Sequence, residues 1–267
     1  MKKYPIVLTI AGSDSGGGAG IQADIKAISA TGGYAASAIT AVTVQNTLGV
    51  QDVFPVVPEI VAGQIKAVLS DIGADAVKIG MLHSSEVIEA IYSVLSAYSV
   101  RNIVLDPVMV STSGHRLIEE SAVETLQSRL LPMARVITPN IPEAEILAGE
   151  RISSQEDLPR IARKLSMRGR VSVLMKAGHL DDDELVDYFY NAEEDHIVEL
   201  RSKRVITPNT HGTGCTLSSA FASYLAQGHS LDDAARAAKD YISRAIESGS
   251  EYTIGHGHGP VNHFWNR

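Results

Sequence analysis

The sequence contains a single cysteine, Cys215, and no excess of positive charge. One cysteine cannot form an intramolecular disulfide, and this is compatible with the reducing cytoplasm. A formal net charge of −8, without any run rich in lysine and arginine, argues against a broad nucleic-acid-binding surface. Backbone N–H groups and single lysines still suffice to bind a small anion. We therefore expect a cytoplasmic protein that does not bind nucleic acid.

Long apolar runs are also missing, since no stretch approaches the ~20 residues that span a membrane. The apolar run at residues 6–11 is short, follows Pro5 and leads directly into Gly12. It is typical of a first strand rather than of a signal peptide. We expect no membrane contact.

Strands and helices alternate through the chain, without a linker, a repeat or a low-complexity segment. Its 267 residues, 45% of them hydrophobic, suffice for a large core, and length alone permits one domain or two. The alternation predicts an α/β fold with a mainly parallel sheet, right-handed crossovers and helices on both faces. Strands are predicted at 6–11, 34–45, 53–57, 76–80, 102–107, 135–138, 171–176, 185–190 and 196–201. Helices are predicted at 21–30, from 58, at 84–98, 119–131, from 139, and at 154–169, 214–228 and 231–248.

A glycine turn at residues 209–218 leads into one of these helices. Gly212, Thr213 and Gly214 stand just before an apolar run at helical spacing. Glycines allow a ligand to come close, and the first N–H groups of a helix can bind an anion. Cys215 stands at the same point, where a helix N-terminus is expected to lower the pKa of the thiol. The alternative is a tight strand-to-helix turn with a buried, structural cysteine.

A second glycine loop, at residues 12–20, connects the first strand to the first helix. It matches neither the dinucleotide pattern G-x-G-x-x-G nor the Walker pattern, because Gly-Gly-Ala-Gly stands where Gly-Lys-Ser/Thr is required. The glycines of this loop therefore allow some other group to come close to its backbone. Gln22 and Asp24 lie in the first helical turns, near whatever occupies it.

Distinctive side chains recur where the predicted strands end. In open parallel sheets ligands bind at the carboxyl ends of the strands, so one crevice explains these residues better than seven unrelated loops. They are Asp14, Gln45, Met81, Asp106, Asn140, Lys176 and His211.

This set of residues could carry out phosphoryl transfer. Asp106 and Glu143 could share Mg²⁺, directly or through water, and Lys176 could neutralise a triphosphate. Cys215 could act as base toward a substrate hydroxyl. The parts predict a small-molecule kinase, although strand-end acids also serve as helix caps and turn formers.

The chain resembles the ribokinase-like superfamily and, within it, the bifunctional hydroxymethylpyrimidine/phosphomethylpyrimidine kinases of thiamine biosynthesis. The resemblance runs in order through essentially the whole chain. It rests on Leu8-Thr-Ile-Ala-Gly-Ser-Asp, Ser15-Gly-Gly-Gly-Ala-Gly-Ile-Gln-Ala-Asp, Val44-Gln-Asn-Thr, Lys78-Ile-Gly-Met-Leu, Val104-Leu-Asp-Pro-Val-Met, Ile137-Thr-Pro-Asn-Ile-Pro-Glu-Ala, Leu174-Met-Lys-Ala-Gly-His, Asn209-Thr-His-Gly-Thr-Gly-Cys-Thr and Gly259-Pro-Val-Asn-His-Phe.

The resemblance implies a single three-layer αβα domain over residues 1–267, with a mainly parallel central sheet. It also implies ATP and Mg²⁺ as cofactors, 4-amino-5-hydroxymethyl-2-methylpyrimidine and then its monophosphate as substrates, and a homodimer. The implied catalytic anion hole is Gly212, Thr213, Gly214 and Cys215. The implied pyrimidine contacts are Gly12, Asp24, Gln45 and Met81, and the implied Mg-ATP contacts are Asp106, Asn140, Glu143, Lys176 and Thr213.

Three local departures accompany the resemblance. Most superfamily members place an aspartate base at the position of Cys215, whereas this subgroup has cysteine. The loop has Ser-Gly-Gly-Gly-Ala where Pro-Ser-Gly-Gly-Ala or Ser-Ser-Gly-Gly-Ala is familiar, and Ala177 stands where glycine is usual. The last two are exchanges among small residues and remove no functional group.

Two other functions stay open. Pyridoxal kinase shares the scaffold and, in one lineage, the cysteine, but it has methionine in place of Gln45 and Thr-Gly-Met-Leu in place of the segment that starts at Ile79. A non-catalytic sugar- or nucleotide-binding module would show no ATP turnover. We interpret the acidic turn 181–184 as a solvated hairpin tip rather than a metal site. The tail histidines are interpreted as solvated or substrate-loop residues, namely His256, His258 and His263.

Overall fold

A computed structural model describes residues 3–109, 117–178, 180 and 183–265. Within these ranges nine strands form one sheet. The strands are β1 Ile6–Asp14, β2 Tyr34–Asn46, β3 Gly49–Pro55, β4 Ala76–Ile79, β5 Ile103–Leu105, β6 Val136–Ile137, β7 Ser172–Met175, β8 Glu184–Asn191 and β9 His196–Lys203.

The sheet has the spatial order β3-β2-β1-β4-β5-β6-β7-β8-β9. The six strands from β2 to β7 pair in parallel. The antiparallel strands lie at the two ends, β3 beside β2, and β8 and β9 beyond β7. The predicted mainly parallel sheet is therefore confirmed.

Helices cover both faces of the sheet and make the fold a three-layer αβα sandwich. The helices are α1 Gly20–Ala30, α2 Pro58–Asp71, α3 Ser85–Tyr98, α4 Glu120–Thr125, α5 Ile141–Ala148, α6 Leu158–Leu165, α7 Thr213–Ala226 and α8 Leu231–Gly249. One apolar cluster packs α2 to α6 on one face, and a second packs α1, α7 and α8 on the other. No helix in the described part of the chain is long and apolar enough to cross a bilayer.

Alternate side chains of the central strands supply the two clusters. In β1, Val7 points to the α7 side and Leu8 to the α2 side, and Val104 and Leu105 divide in the same way in β5. Strands covered on both faces are expected to be apolar almost throughout. Lys78 is a charged exception, because it lies in β4 and is completely buried.

Several predicted elements differ in extent or in type from those of the structure. The helix predicted at 154–169 stops at Leu165, because the backbone at 167–169 is left-handed, with φ of 53°, 64° and 79°. The helix predicted at 119–131 is α-helical only in α4. It continues as a π-helix at Leu126–Leu130 and ends in a 3₁₀ turn at Leu131–Met133. Pro132 has no N–H to continue it. The strand predicted at 102–107 is reduced to β5.

Part of one sequence prediction cannot be compared with the structure. Asp181 and Asp182 of the predicted acidic turn lie outside the described residues, while Glu184 begins β8. The strand pair β8 and β9 runs close to the predicted limits.

Candidate functional site

The carboxyl ends of the parallel strands border a cavity of about 540 Å³. Eleven of the twelve predicted site residues line it, so the structure brings together segments that are far apart in sequence. They are Gly12, Gln45, Met81, Asp106, Asn140, Glu143, Lys176, Gly212, Thr213, Gly214 and Cys215. Asp24 does not.

The N-terminus of α7 points its first residues into this cavity. Gly212 precedes the helix with φ 79° and ψ 9°, a left-handed conformation that favours glycine. A Cβ atom there would also overlap the backbone of Gly18. The Thr213 N–H donates to Thr210 O and the Thr216 N–H to Gly212 O. This leaves the N–H groups of Gly214 and Cys215 directed to the helix entrance, where an anion can bind.

The thiol of Cys215 is more basic than the sequence suggested. Burial raises its pKa, and the carboxylates of Asp24 and Asp106 raise it further, against the opposing charge of Lys78, to about 11. The prediction that the helix N-terminus lowers this pKa is wrong, because the loss of hydration outweighs the helix field. In the ligand-free protein the group is a thiol at neutral pH.

Beside the helix entrance, Lys176 and Asp106 form a close ion pair. Lys176 Nζ lies 3.0 Å from Asp106 Oδ1, and the Thr138 hydroxyl donates to the same oxygen at 2.9 Å. Burial alone would raise the pKa of Asp106, but the ammonium groups of Lys176 and Lys78 hold it below its ordinary value. Asp106 is therefore an anion. A Cβ atom on Gly214 would lie 3.2 Å from the nitrogen of Lys176. The small residue lets the helix entrance approach the ion pair.

Glu143 and Asn140 form a capping box at the start of α5. The Asn140 N–H donates to Glu143 Oε2 at 2.8 Å, and the Glu143 N–H donates to Asn140 Oδ1 at 2.9 Å. Burial raises the pKa of Glu143 to about 7, the charge of Asp106 adding to it and that of Lys176 opposing it. Asn140 and Glu143, which were predicted to contact Mg-ATP, therefore also stabilise the start of α5.

The chemistry of this corner fits a hard divalent cation. Asp106 and Glu143 are oxygen donors, as Mg²⁺ prefers, and each raises the energy of the other's charge. Lys176 offsets part of this negative charge. A buried carboxyl that retains its proton near neutral pH is a group that gains from an arriving positive charge.

The other end of the cavity is closed by Gly12, Met81 and Gln45. A Cβ atom on Gly12 would lie 2.8 Å from the Met81 sulfur, so glycine leaves room for the thioether. Thr40 Oγ1 donates to Met81 O at 2.8 Å and holds the segment after β4 against β2. Gln45 Nε2 lies 3.2 Å from His211 Nε2. This end is therefore partly apolar and carries the amide of Gln45.

The glycine loop at residues 12–20 wraps around the carboxylate of Asp14. Its Oδ1 accepts from the Gly16 N–H at 2.8 Å, and its Oδ2 accepts from the N–H groups of Gly18 and Ala19 at 3.0 and 2.8 Å. Burial opposes ionisation, but the hydrogen bonds from His211 and the backbone leave the pKa of Asp14 below its ordinary value. The loop thus binds an anion supplied by its own chain, which explains why it matches no phosphate motif.

Asp24 is the predicted ligand residue that the structure moves away from the cavity. Its carboxylate is completely buried and lies 2.8 and 2.9 Å from Lys78 Nζ. It also accepts hydrogen bonds from Thr9 Oγ1 at 2.6 Å and Ser219 Oγ at 2.7 Å. We correct its assignment from a pyrimidine contact to a buried structural anion, because its oxygens are already bound to neighbouring side chains.

Sequence reasoning missed the far end of the cavity, which is formed by β8, β9 and α8. Asp187 and Lys239 line it and pair at 2.7 Å, and Asp187 also accepts from the Ala177 N–H at 2.8 Å. Arg204, Ile242 and Ile246 are further lining residues. A lysine and aliphatic residues on one helix face give no sequence signal for a ligand, since they also suit an ordinary amphipathic helix.

The tail histidines differ from one another. His256 and His258 are exposed, as predicted. His263 is buried, and burial, together with the charge of Lys26, lowers its pKa to about 4. Its Nε2 lies 3.0 Å from Thr216 Oγ1 on α7. The prediction of a solvated or substrate-loop histidine is therefore wrong for His263, which packs against the helix.

Comparison with known proteins shows the same likeness over nearly all of the chain. A family model described as phosphomethylpyrimidine kinase matches residues 14–262. The chain is 50% identical to the thiamine biosynthesis bifunctional protein ThiED of Geobacter sulfurreducens over 96% of its length, but it spans only 52% of that longer protein. It is 45% identical to the hydroxymethylpyrimidine/phosphomethylpyrimidine kinase of Escherichia coli, over 96% of each chain.

Two solved structures have the same fold. Phosphomethylpyrimidine kinase from Clostridium difficile is 45% identical, with a TM-score of 0.79 over 90% of this chain and 99% of that one. An ADP complex of Bacillus subtilis pyridoxal kinase is 34% identical, with a TM-score of 0.89 over 98% of both chains. They confirm the predicted ribokinase-like architecture.

Proposed function

The chain belongs to the phosphomethylpyrimidine kinase family, and from this premise we propose that it phosphorylates 4-amino-5-hydroxymethyl-2-methylpyrimidine and then its monophosphate with ATP. The product, a pyrimidine diphosphate, would serve thiamine biosynthesis. We also propose that residues 1–267 act as one domain and, given the single cysteine, in the cytoplasm.

One observation supports this proposal above the others. A single cavity joins the pyrimidine end at Gln45 to the β8–α8 end, and the α7 entrance and Lys176 lie among the residues that line it. In-line phosphoryl transfer needs a nucleophile and a nucleotide on opposite sides of one anion-binding point. We assign the nucleotide to the β8–α8 end and the transferred phosphoryl group to the N–H groups of Gly214 and Cys215.

The residues of this chain would position and stabilise the reacting groups. The substrate hydroxyl oxygen attacks the γ-phosphorus, the bond from that phosphorus to the β–γ bridging oxygen breaks, and ADP leaves. The N–H groups at the start of α7 and the ammonium of Lys176 stabilise the charge that spreads over the phosphoryl oxygens. Mg²⁺, held by Asp106 and Glu143 directly or through water, supplies further neutralisation of the phosphates when it is bound.

The hydroxyl proton needs an acceptor, and Cys215 is the candidate at the helix entrance. With a pKa of about 11 it must first lose its own proton to solvent. Only the thiolate fraction then accepts the proton from the substrate hydroxyl. This makes the rate of the chemical step dependent on pH.

The direct test of the proposed function is product analysis. Incubation with Mg-ATP and the pyrimidine alcohol should give ADP with the mono- and then the diphosphate, detected by mass. Loss of both products with excess chelator and recovery with added Mg²⁺ would support the metal assignment. Full activity after exhaustive chelation would contradict that assignment, and an absence of phosphorylated pyrimidine under all conditions would contradict the kinase itself.

Pyridoxal phosphorylation is a second candidate because of the structural likeness to the Bacillus subtilis enzyme. Gln45 argues against it as the main activity. A glutamine amide offers a carbonyl acceptor for the exocyclic amine of an aminopyrimidine and an NH₂ donor for its adjacent ring nitrogen. Pyridoxal does not present this pair.

We further propose a homodimer that covers an apolar face of β2 and β3. Val42 and Phe54 are cross-strand neighbours and are 47% and 74% exposed, and Val44, on the same face, is 53% exposed. Clustered exposed apolar side chains mark interaction surfaces. Light scattering should give a dimer for the wild type and a monomer for Phe54→Glu, and a monomeric wild type would contradict this proposal.

A further inference from the structure

Three polar side chains meet at the pyrimidine end, and one orientation of the Gln45 amide cannot form hydrogen bonds with the other two. His211 Nε2 lies 2.9 Å from Asp14 Oδ2 and 3.2 Å from Gln45 Nε2. Asp14 is ionised, since three backbone N–H groups donate to it, so it can only accept. His211 Nε2 must therefore carry the hydrogen and donate it to Asp14. An amide NH₂ of Gln45 at the same nitrogen would then place two donors face to face.

The other end of the amide shows the same conflict. Gln45 Oε1 lies 3.3 Å from Thr43 Oγ1, but the Thr43 hydroxyl has one hydrogen, which it donates to Ser13 O at 2.9 Å. What remains at Thr43 is an acceptor, and it faces another acceptor. Rotating the amide by 180° relieves both contacts, because Oε1 then shares the Nε2 hydrogen of His211 with Asp14 and the NH₂ donates to Thr43. The two orientations of the amide have the same shape, so these hydrogen bonds decide between them.

His211 is held through both its backbone and its ring. Its backbone N–H donates to Gly259 O at 3.0 Å, and a bridge joins His211 to Pro260. A Cβ atom on Gly18 would contact the ring, so the glycine loop packs directly against it. The loop around Asp14 and the C-terminal tail thus fix the direction of the one N–H that sets the amide.

We propose that His211 and Asp14 are positioning residues that fix the amide of Gln45 with its carbonyl toward His211 and its NH₂ toward Thr43. The free lone pair and the free N–H that remain then accept a ligand edge with a donor on the His211 side and an acceptor on the Thr43 side. A 4-aminopyrimidine has this edge, in its exocyclic NH₂ and adjacent ring nitrogen. A 4-oxopyrimidine has the reverse pattern, a carbonyl beside a ring N–H, and is rejected. The inference rests on the proposed function for its substrate class.

The test compares binding of 4-amino-5-hydroxymethyl-2-methylpyrimidine and of its 4-oxo analogue by calorimetry, without ATP. The wild type should prefer the amino compound at least tenfold, because a mismatched edge leaves buried polar groups unpaired. In His211→Ala the amide is free to rotate, so the preference should fall to less than threefold. His211→Gln keeps an N–H donor toward Asp14 and should restore most of the preference. Thermal unfolding of each variant checks that it is folded.

A double-mutant cycle separates positioning from a general loss of structure. If His211 acts through Gln45, His211→Ala should change the amino/oxo ratio in the wild-type background and leave it unchanged in Gln45→Met. An equal change in both backgrounds would overturn the inference.

The wild type itself separates the inference from the proposed function. A wild type that binds the two pyrimidines equally would overturn the inference and leave the kinase assignment standing. A wild type that binds neither would overturn the proposed function and this inference with it.

Discussion

Lys78 Nζ lies 2.8 and 2.9 Å from the two carboxylate oxygens of Asp24, and neither side chain is exposed to solvent. The hydroxyl of Ser219 on α7 donates to the same carboxylate at 2.7 Å. The ion pair therefore ties α1 and β4 to the helix whose first residues enter the cavity. Burial opposes the charge of Lys78, but Asp24 keeps the pKa of the ammonium above its ordinary value, so the lysine stays charged.

Removing one partner of this pair should be costly. Asp24→Asn leaves the buried ammonium of Lys78 uncompensated, and we expect a loss of about 3–5 kcal/mol in the free energy of unfolding, measured with urea. The control is Asp240→Asn, which breaks an exposed pair with Arg244 on α8 and should cost less than about 1 kcal/mol. Similar losses in the two variants would show that the buried pair is no more important than a surface one.

The raised pKa of Cys215 predicts slow alkylation at neutral pH. The thiolate is the reactive form, so the rate with iodoacetamide should rise about tenfold per pH unit from 7 to 10 and reach half of its maximum near pH 11. Cys215→Ser gives the background, since the chain has no other cysteine. A midpoint at or below ~8.5, the value of an ordinary cysteine, would show that the helix N-terminus dominates after all.

The base role of Cys215 has its own test. If its thiolate accepts the hydroxyl proton, Cys215→Ala should lower kcat by roughly 10²–10⁴ and remove the rise of kcat between pH 7 and 9. ATP affinity should change little. A Cys215→Ala variant with near-normal kcat would mean that the helix entrance, Lys176 and the metal suffice.

The raised pKa of Glu143 predicts that the free energy of unfolding depends on pH. Because the folded protein holds this proton up to a pKa of about 7, against an ordinary 4.5, its contribution is full below pH 4.5 and is lost as pH rises through 7. Without Mg²⁺ the wild type should lose on the order of 2 kcal/mol between pH 5 and 8 that Glu143→Gln does not lose. Gln also preserves the capping box.

Urea unfolding at both pH values measures this loss, with Glu247→Gln, an exposed carboxylate on α8, as the control. The same pH dependence in the wild type and in Glu143→Gln would contradict the assignment.

The strands and helices could be predicted from the sequence where apolar residues recur with a regular period. Buried strands and amphipathic helices alternate, and the carboxyl ends of parallel strands meet at one edge, so Asp106, Lys176 and Gln45 could be placed in one crevice. Helix limits were less predictable. The end of α6 depends on three left-handed residues, of which only Gly169 is the residue type expected there.

Errors arose where burial decides the chemistry. Asp24 lies one helical turn from the glycine loop, but whether its carboxylate faces the cavity or Lys78 depends on how α1 packs against β4. The pKa of Cys215 likewise depends on desolvation by elements that are distant in sequence. Lys239 and Asp187 become neighbours only through the packing of α8 against β8. These are tertiary relationships without a local signal.

Whether this cavity phosphorylates an aminopyrimidine that Gln45 recognises is tested most directly by kcat/KM for the pyrimidine alcohol and for pyridoxal at saturating Mg-ATP. The wild type should strongly favour the pyrimidine. Gln45→Met should lose one to two orders of magnitude for the pyrimidine, about 1.4–2.8 kcal/mol, and less for pyridoxal. A wild type that phosphorylates pyridoxal as efficiently as the pyrimidine, or a variant that leaves their ratio unchanged, would contradict the account.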